Sequence, residues 1–132
     1  MKLFKSAKAA LEHIKIISNR SIRNEICGFL GYCKENKQFV VKETKNEADD
    51  PTQFFYINPL SYLLFKEEYE MIAIYHSHVA GDEEESDFDV KMSENCCLPF
   101  LIFSLNTQKI NIYEPQNSDS DVNILERIKA LV

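Results

Sequence analysis

Two histidines one residue apart, His76 and His78, close an apolar run in the stretch Ile74–Val90, "IYHSHVAGDEEESDFDV". An acidic segment, Asp82, Glu83, Glu84 and Glu85, follows, and then Ser86 and Asp89 at the spacing S-x-x-D. Imidazole nitrogens and carboxylate oxygens are donors that hold zinc. In a strand, residues i and i+2 share a face, so His76 and His78 project together while Ser77 projects away. Their Cα atoms then lie roughly 6.5–7 Å apart, within reach of one ion for both rings. S-x-x-D is also the spacing of a capping box, which puts the acid in a first helical turn beside Ser86. If that turn packs against the end of the histidine strand, Asp89 completes a His₂Asp set. Three protein ligands with water in the fourth position make a catalytic rather than a structural zinc site. Asp82 and Asp87 are alternative acids for the third position. Each feature alone has a plain explanation: an incidental H-x-H, a helix cap, a solvated acidic loop. The weight lies in their combination at fixed spacing.

The elements that must position these groups follow from the pattern around them. "MIAIYH" is an apolar run that serves as a central strand, and Ser86 caps a helix over "SDFDVKMSEN". Upstream, Ala7, Ala10, Leu11, Ile14 and Ile17 recur at helical spacing, which predicts an amphipathic helix over 5–18. "EICGFLGYC" reads as a buried strand in which Gly28 and Gly31 permit close backbone approach. "KQFVVKET" is its hairpin partner, with the turn near Lys34–Lys37. "KNEADDPTQ" is a polar connector. Asn58 as N-cap and Pro59 at the first helical position begin a short helix carrying Leu60, Leu63, Leu64 and Glu67. "PFLIFSL" and "KINIY" are strands joined at Asn106–Gln108. "PQNSDSD" links them to a last amphipathic helix over "SDVNILERIKALV". Helices and strands mix without strict βαβ alternation, which predicts an α/β sandwich.

The chain has 132 residues, of which 45% are hydrophobic, so a single domain spanning 1–132 with its own core is expected. A net charge of −6 and the lack of a basic stripe argue against nucleic acid as partner. Cys27, Cys33, Cys96 and Cys97 lack zinc-finger spacing and read as reduced thiols of a cytoplasmic protein. Glu12, His13 and Lys15 interrupt the N-terminal segment, which therefore does not read as a signal peptide. The apolar stretch Leu98–Phe103 is too short to span a bilayer, so no membrane partner is expected. Packing is the ordinary role for the cysteines, and a surface or boundary position for His13. Phe54, Phe55 and Tyr56 cover a core edge or, alternatively, face a substrate.

The combination "HSHVAGDEEESDFD", H-x-H followed after seven residues by S-x-x-D, resembles the signature of the JAMM (MPN+) metalloproteases. The likeness extends upstream to "NEICGFLGY", where Glu25 precedes a C-G-hydrophobic-glycine strand, and runs from about Glu25 to Leu105. It implies an MPN/JAMM domain: a mixed, mostly antiparallel sheet flanked by helices, similar to the three-layer sandwich of cytidine deaminases. It implies one catalytic Zn²⁺ held by His76, His78 and Asp89. It also implies Glu25 as general acid/base, with Ser86 hydrogen-bonding near the attacking water and the oxyanion. Val79 stands where many members have proline, which bears on the loop facing the substrate and leaves the ligands intact.

Within the family, "KNEADDPTQFFYINP", "HSH" and "SENCCLPFLIFSL" are similar to the compact prokaryotic branch. That branch includes the JAMM module of lambda-type phage tail assembly proteins and bacterial deubiquitinase-like proteases. The resemblance thus implies a metallopeptidase or isopeptidase that hydrolyses an amide at the C-terminal tail of a ubiquitin-like protein. The alternatives are a peptidase of phage tail assembly acting on a tail protein, and a non-catalytic MPN scaffold. The location the resemblance implies is the cytoplasm, or the virion tail if phage-encoded. An acidic rim made by Asp82, Glu83, Glu84 and Glu85 would favour a basic substrate tail. A zinc deaminase would need a P-C-x-x-C pair, which Cys96–Cys97 is not.

Overall fold

The structure is a computed structural model that describes all residues, Met1–Val132. The elements run β1 (Lys2–Phe4), α1 (Ala7–Asn19), β2 (Cys27–Cys33), β3 (Gln38–Thr44), α2 (Pro59–Glu68), β4 (Glu70–His78), α3 (Asp87–Cys96), β5 (Phe100–Ser104), β6 (Ile110–Tyr113) and α4 (Val122–Lys129). The six strands form one sheet in the order β1-β3-β2-β4-β5-β6. All neighbours are antiparallel except β4 and β5, which are parallel and joined through α3.

Side chains alternate across the sheet, so its apolar strands supply two cores. Leu30, Phe39, Val41, Ile72 and Leu101 pack under Ala10, Leu11 and Ile14 of α1 and Leu125 and Ile128 of α4. Phe29, Val40, Ile74, Phe100 and Ile102 face the other way, toward Phe65 of α2 and Phe88 and Met92 of α3. Helices on both faces explain why the inner strands read as near-continuous apolar runs. The result is the α/β sandwich expected from the sequence. No helix is long and apolar enough to cross a membrane.

Local chemistry sets the element ends. Ser6 caps α1 by accepting from the Ala9 amide, and Asn58 caps α2 by accepting from the Leu60 amide. A Cβ on Gly28 would run into the Lys42 carbonyl oxygen, and one on Gly31 would lie 2.5 Å from the Phe65 ring. These are the two close approaches that the glycines permit.

Two features differ from the sequence pattern. β1 was not expected; it pairs with β3 and packs Phe4 against the core, but at three residues it is too short to show an alternation. The leucines of α2 do not face the sheet: Leu60, Leu63 and Leu64 are exposed, and Phe65 is the buried residue of that helix. The Phe65 ring fills the space over Gly31, and this contact sets the rotation of α2.

Candidate metal centre

β4 runs three residues beyond its apolar run Met71–Tyr75 and ends at His78. There it meets the N-terminus of α3, the helix that carries the chain across to the parallel strand β5. In α/β sheets, the carboxyl end of a strand beside a helix N-terminus is a recurrent ligand site. Ser86 is the N-cap of α3: its hydroxyl accepts from the Asp89 amide at 3.0 Å, while Asp89 Oδ2 accepts from the Ser86 amide at 3.0 Å. The capping box therefore fixes the Asp89 carboxylate before any ligand is considered.

That carboxylate faces both histidines. His76 Nε2 lies 3.0 Å from Asp89 Oδ1, and His78 Nε2 lies 3.0 Å from Asp89 Oδ2. One donor atom from each of the three residues falls within 4.8 Å of the others. Of the acids considered from the sequence, the fold brings Asp89 to the histidines. Asp82 Oδ1 instead accepts from the Glu84 amide, and Asp87 is exposed.

Two observations test whether these residues suit a cation. His78 Nδ1 lies 2.8 Å from the Asp82 carbonyl oxygen, which can only accept, so Nδ1 carries the proton. In the neutral ring, Nε2 then presents a lone pair to Asp89 Oδ2, an arrangement that requires a positive charge between the two atoms. His76 is fully buried, and neither of its ring nitrogens has a hydrogen-bond partner although Oδ1 is near Nε2. Buried polar atoms without partners are costly. A divalent metal resolves both mismatches, and two imidazoles with a carboxylate fit zinc. The Asp82 carbonyl is then the outer partner that fixes the His78 tautomer.

The surroundings set the charges. Burial pushes the Glu25 carboxyl up to about 8; His78 opposes this and Asp89 reinforces it. Burial also acts on Asp89, but its contacts with His76 and His78 and the Ser86 amide outweigh it and hold that carboxyl well below the usual range. Burial pushes His76 down. For His78 burial is outweighed by Asp89 and the Asp82 carbonyl, and the imidazole is pushed up.

Glu25, His78, Asp82, Glu84 and Ser86 line one open cleft of about 620 Å³. Glu25 sits just before β2, 7% exposed, and is held by its backbone: its amide donates to the Pro51 carbonyl at 2.8 Å. The next residue, Ile26, donates to Ser77 Oγ at 2.9 Å, so the serine that faces away from the histidines ties β4 to the Glu25 segment. Of the four consecutive acids, Asp82 and Glu84 are exposed at the cleft. Glu83 instead accepts from Thr107 Oγ1 at 2.7 Å, and Glu85 from Asn111 Nδ2 at 2.8 Å.

Two supporting residues were not legible as such. Asn46 lies in the polar connector, yet its Nδ2 donates to the Glu25 and Phe54 carbonyls, and its Oδ1 accepts from the Ala48 and Tyr56 amides. A single asparagine in a polar segment carries no local signal of that role. Phe55, held between those last contacts, stacks on His76 at 4.4 Å with an interplanar angle of 24°. Its apolar character signalled burial, not the neighbour it would press on.

The chain matches the family of prokaryotic homologs of the JAB domain over residues 8–116, and it belongs to that family. No curated protein matches it. Among solved structures it is similar to the solution structure of protein DSY2949 from Desulfitobacterium hafniense, at 24% identity with a TM-score of 0.63. The match covers 80% of this chain and 77% of that one, and it shows a shared fold.

Proposed function

We propose that the chain is a zinc-dependent metallopeptidase or isopeptidase that hydrolyses an amide at the C-terminal tail of a ubiquitin-like protein. The observation that carries this reading is the Asp89 carboxylate facing both histidine Nε2 atoms at 3.0 Å, beside a cleft lined by Glu25 and Ser86. A zinc ion held by His76, His78 and Asp89 supplies Lewis acidity and lowers the pKa of water to about 7.

The chain's own groups do the rest. The Glu25 carboxylate takes the proton of the attacking water and hands it to the departing amine nitrogen. In the metal-free chain burial raises that carboxyl to about 8; a cation bound beside it would favour the ionised form that accepts the first proton, and the carboxyl so protonated is the state needed for the second transfer. The Ser86 oxygen already accepts from the Asp89 amide, so its hydroxyl proton is free to donate to the developing oxyanion. Phe55 excludes water from the back of the His76 ring. Asp82 and Glu84 form an acidic rim that favours a basic residue in the substrate tail.

The test is cleavage of ubiquitin-like proteins carrying a C-terminal extension, in the zinc-loaded wild type and in Glu25→Gln. The expected result is wild-type cleavage, with loss of turnover and retained zinc in the variant. Equal cleavage by both forms refutes the role given to Glu25. Zinc binding without cleavage of any such fusion refutes the substrate class.

A further inference from the structure

The acidic loop between β4 and α3 is fastened at three separate places to the β5–β6 hairpin. Ser104 Oγ, fully buried at the end of β5, donates to the Gly81 carbonyl at 2.9 Å. That oxygen also accepts from the Asn106 and Thr107 amides, so the loop and the hairpin turn share one hydroxyl. Thr107 Oγ1 donates to Glu83, and Asn111 Nδ2 donates to Glu85. The strand itself is tied in as well, because the Leu105 amide donates to the His78 carbonyl at 3.0 Å. Between the first and second of these loop contacts lies Asp82, whose carbonyl accepts from His78 Nδ1.

We propose that the β5–β6 hairpin is a latch that holds the acidic loop so that the Asp82 carbonyl aims His78 at the metal, with Ser104, Thr107 and Asn111 as positioning residues. The inference rests on the metal-binding reading of the site. Gly81 has φ +83°, a backbone state with no side chain to anchor it, and a Cβ there would meet nothing within 4 Å. Position in this segment must therefore come from contacts on either side of Asp82. Gly81 supplies one through its carbonyl and Glu83 the other through its carboxylate. Releasing them lets the Asp82 carbonyl leave Nδ1, and the imidazole is then free to rotate or to change tautomer. Glu83 and Glu85 are spent on the latch, which leaves Asp82 and Glu84 to meet a substrate.

The experiment measures zinc affinity of the full chain by competition with a chelating dye, for wild type, Ser104→Ala, and the double variant Thr107→Val with Asn111→Val. Lost outer partners of metal-bound histidines cost about 10–100-fold in affinity. A rise in Kd of about 10-fold is expected for each variant. Thr107→Ser, which keeps the hydroxyl, retains wild-type affinity. Tyr113→Phe removes a contact from β6 to Glu94, away from the loop, and also retains it. Nitrogen-15 spectra of the metal-free imidazoles give a second readout. At a pH where the ring is neutral, His78 shows protonation at Nδ1 in wild type and a mixture in the latch variants, with His76 unchanged. Thr107 is exposed, so the double variant decides the matter if Ser104→Ala does not fold. Wild-type zinc binding with unchanged affinity and unchanged His78 spectra in the variants overturns the latch alone. A wild-type chain that binds no zinc overturns the metal reading beneath it.

Discussion

Glu25→Gln stabilises the metal-free protein, and does so more strongly as the pH rises. The Glu25 carboxyl is pushed from 4.5 to about 8 by burial. Between those values the folded chain holds a proton that the unfolded chain has released. Folded-state stability therefore falls as pH rises through this window, and it falls no further once the folded carboxyl is also ionised. With each pKa unit worth about 1.4 kcal/mol, the penalty is close to zero near pH 4, about 3 kcal/mol at pH 7, and roughly 5 kcal/mol above pH 9. Glutamine has no charge to bury, so the variant loses this slope. Glu25 is only 7% exposed, which leaves little solvent screening to reduce the effect. The assay is urea unfolding of both proteins in EDTA at several pH values. The two stabilities should converge near pH 4 and separate by about 3 kcal/mol at neutral pH, a rise in Tm of roughly 10 °C for a domain of this size. Added zinc narrows the gap, because a nearby cation stabilises the ionised carboxylate. A pH-independent difference between the proteins, or a variant less stable than wild type at pH 8, refutes the reasoning. On the acid/base role proposed for Glu25, this lost stability is the kind of trade-off common at catalytic positions.

Further outcomes follow from the same geometry. His78→Ala removes one of two neutral donors, and zinc affinity measured by calorimetry should fall by at least about 100-fold, beyond the effect of losing an outer partner. Zinc binding should also weaken as the pH falls, because protons compete for the ring nitrogens. The raised His78 pKa places the onset of that loss at higher pH than for a free imidazole, and an affinity-versus-pH titration reads it. Phe55→Ala empties the buried face of His76 and should cost about 3–5 kcal/mol in urea unfolding. Gly28→Ala drives a Cβ into the Lys42 carbonyl oxygen and the Tyr75 hydroxyl, and should destabilise by about 3 kcal/mol or more in the same assay.

Most elements were legible because they are repeats of one local pattern. The helix expected over 5–18 runs Ala7–Asn19, and the hairpin, the capped helices and the paired strands near the C-terminus also stand close to their expected places. α2 departs instructively. Its leucines recur at helical spacing, yet they face solvent, because the buried face was settled by Phe65 reaching the space over Gly31. Periodicity describes a helix; it does not say which partner competes best for its faces. β1 was invisible because three residues are too few to display a period of two.

By itself the sequence determined the donors, their order and their spacing. H-x-H on a strand places two rings on one face, and S-x-x-D on a helix start places an acid at its cap; both follow from chain geometry within a few residues. Tertiary structure decided what lies beyond that range. It brought the Asp89 carboxylate to the histidines and left those of the alternative acids, Asp82 and Asp87, elsewhere, because the capping box of α3 docks against the end of β4. It divided the run of four acids into two that line a cleft and two that grip the hairpin. It also carried Glu25, some fifty residues upstream of the histidines in sequence, to their cleft through the pairing of β2 with β4. Spacing acts only where covalent geometry is short and stiff. Across longer separations, position is set by which strands pair and which helix ends pack together.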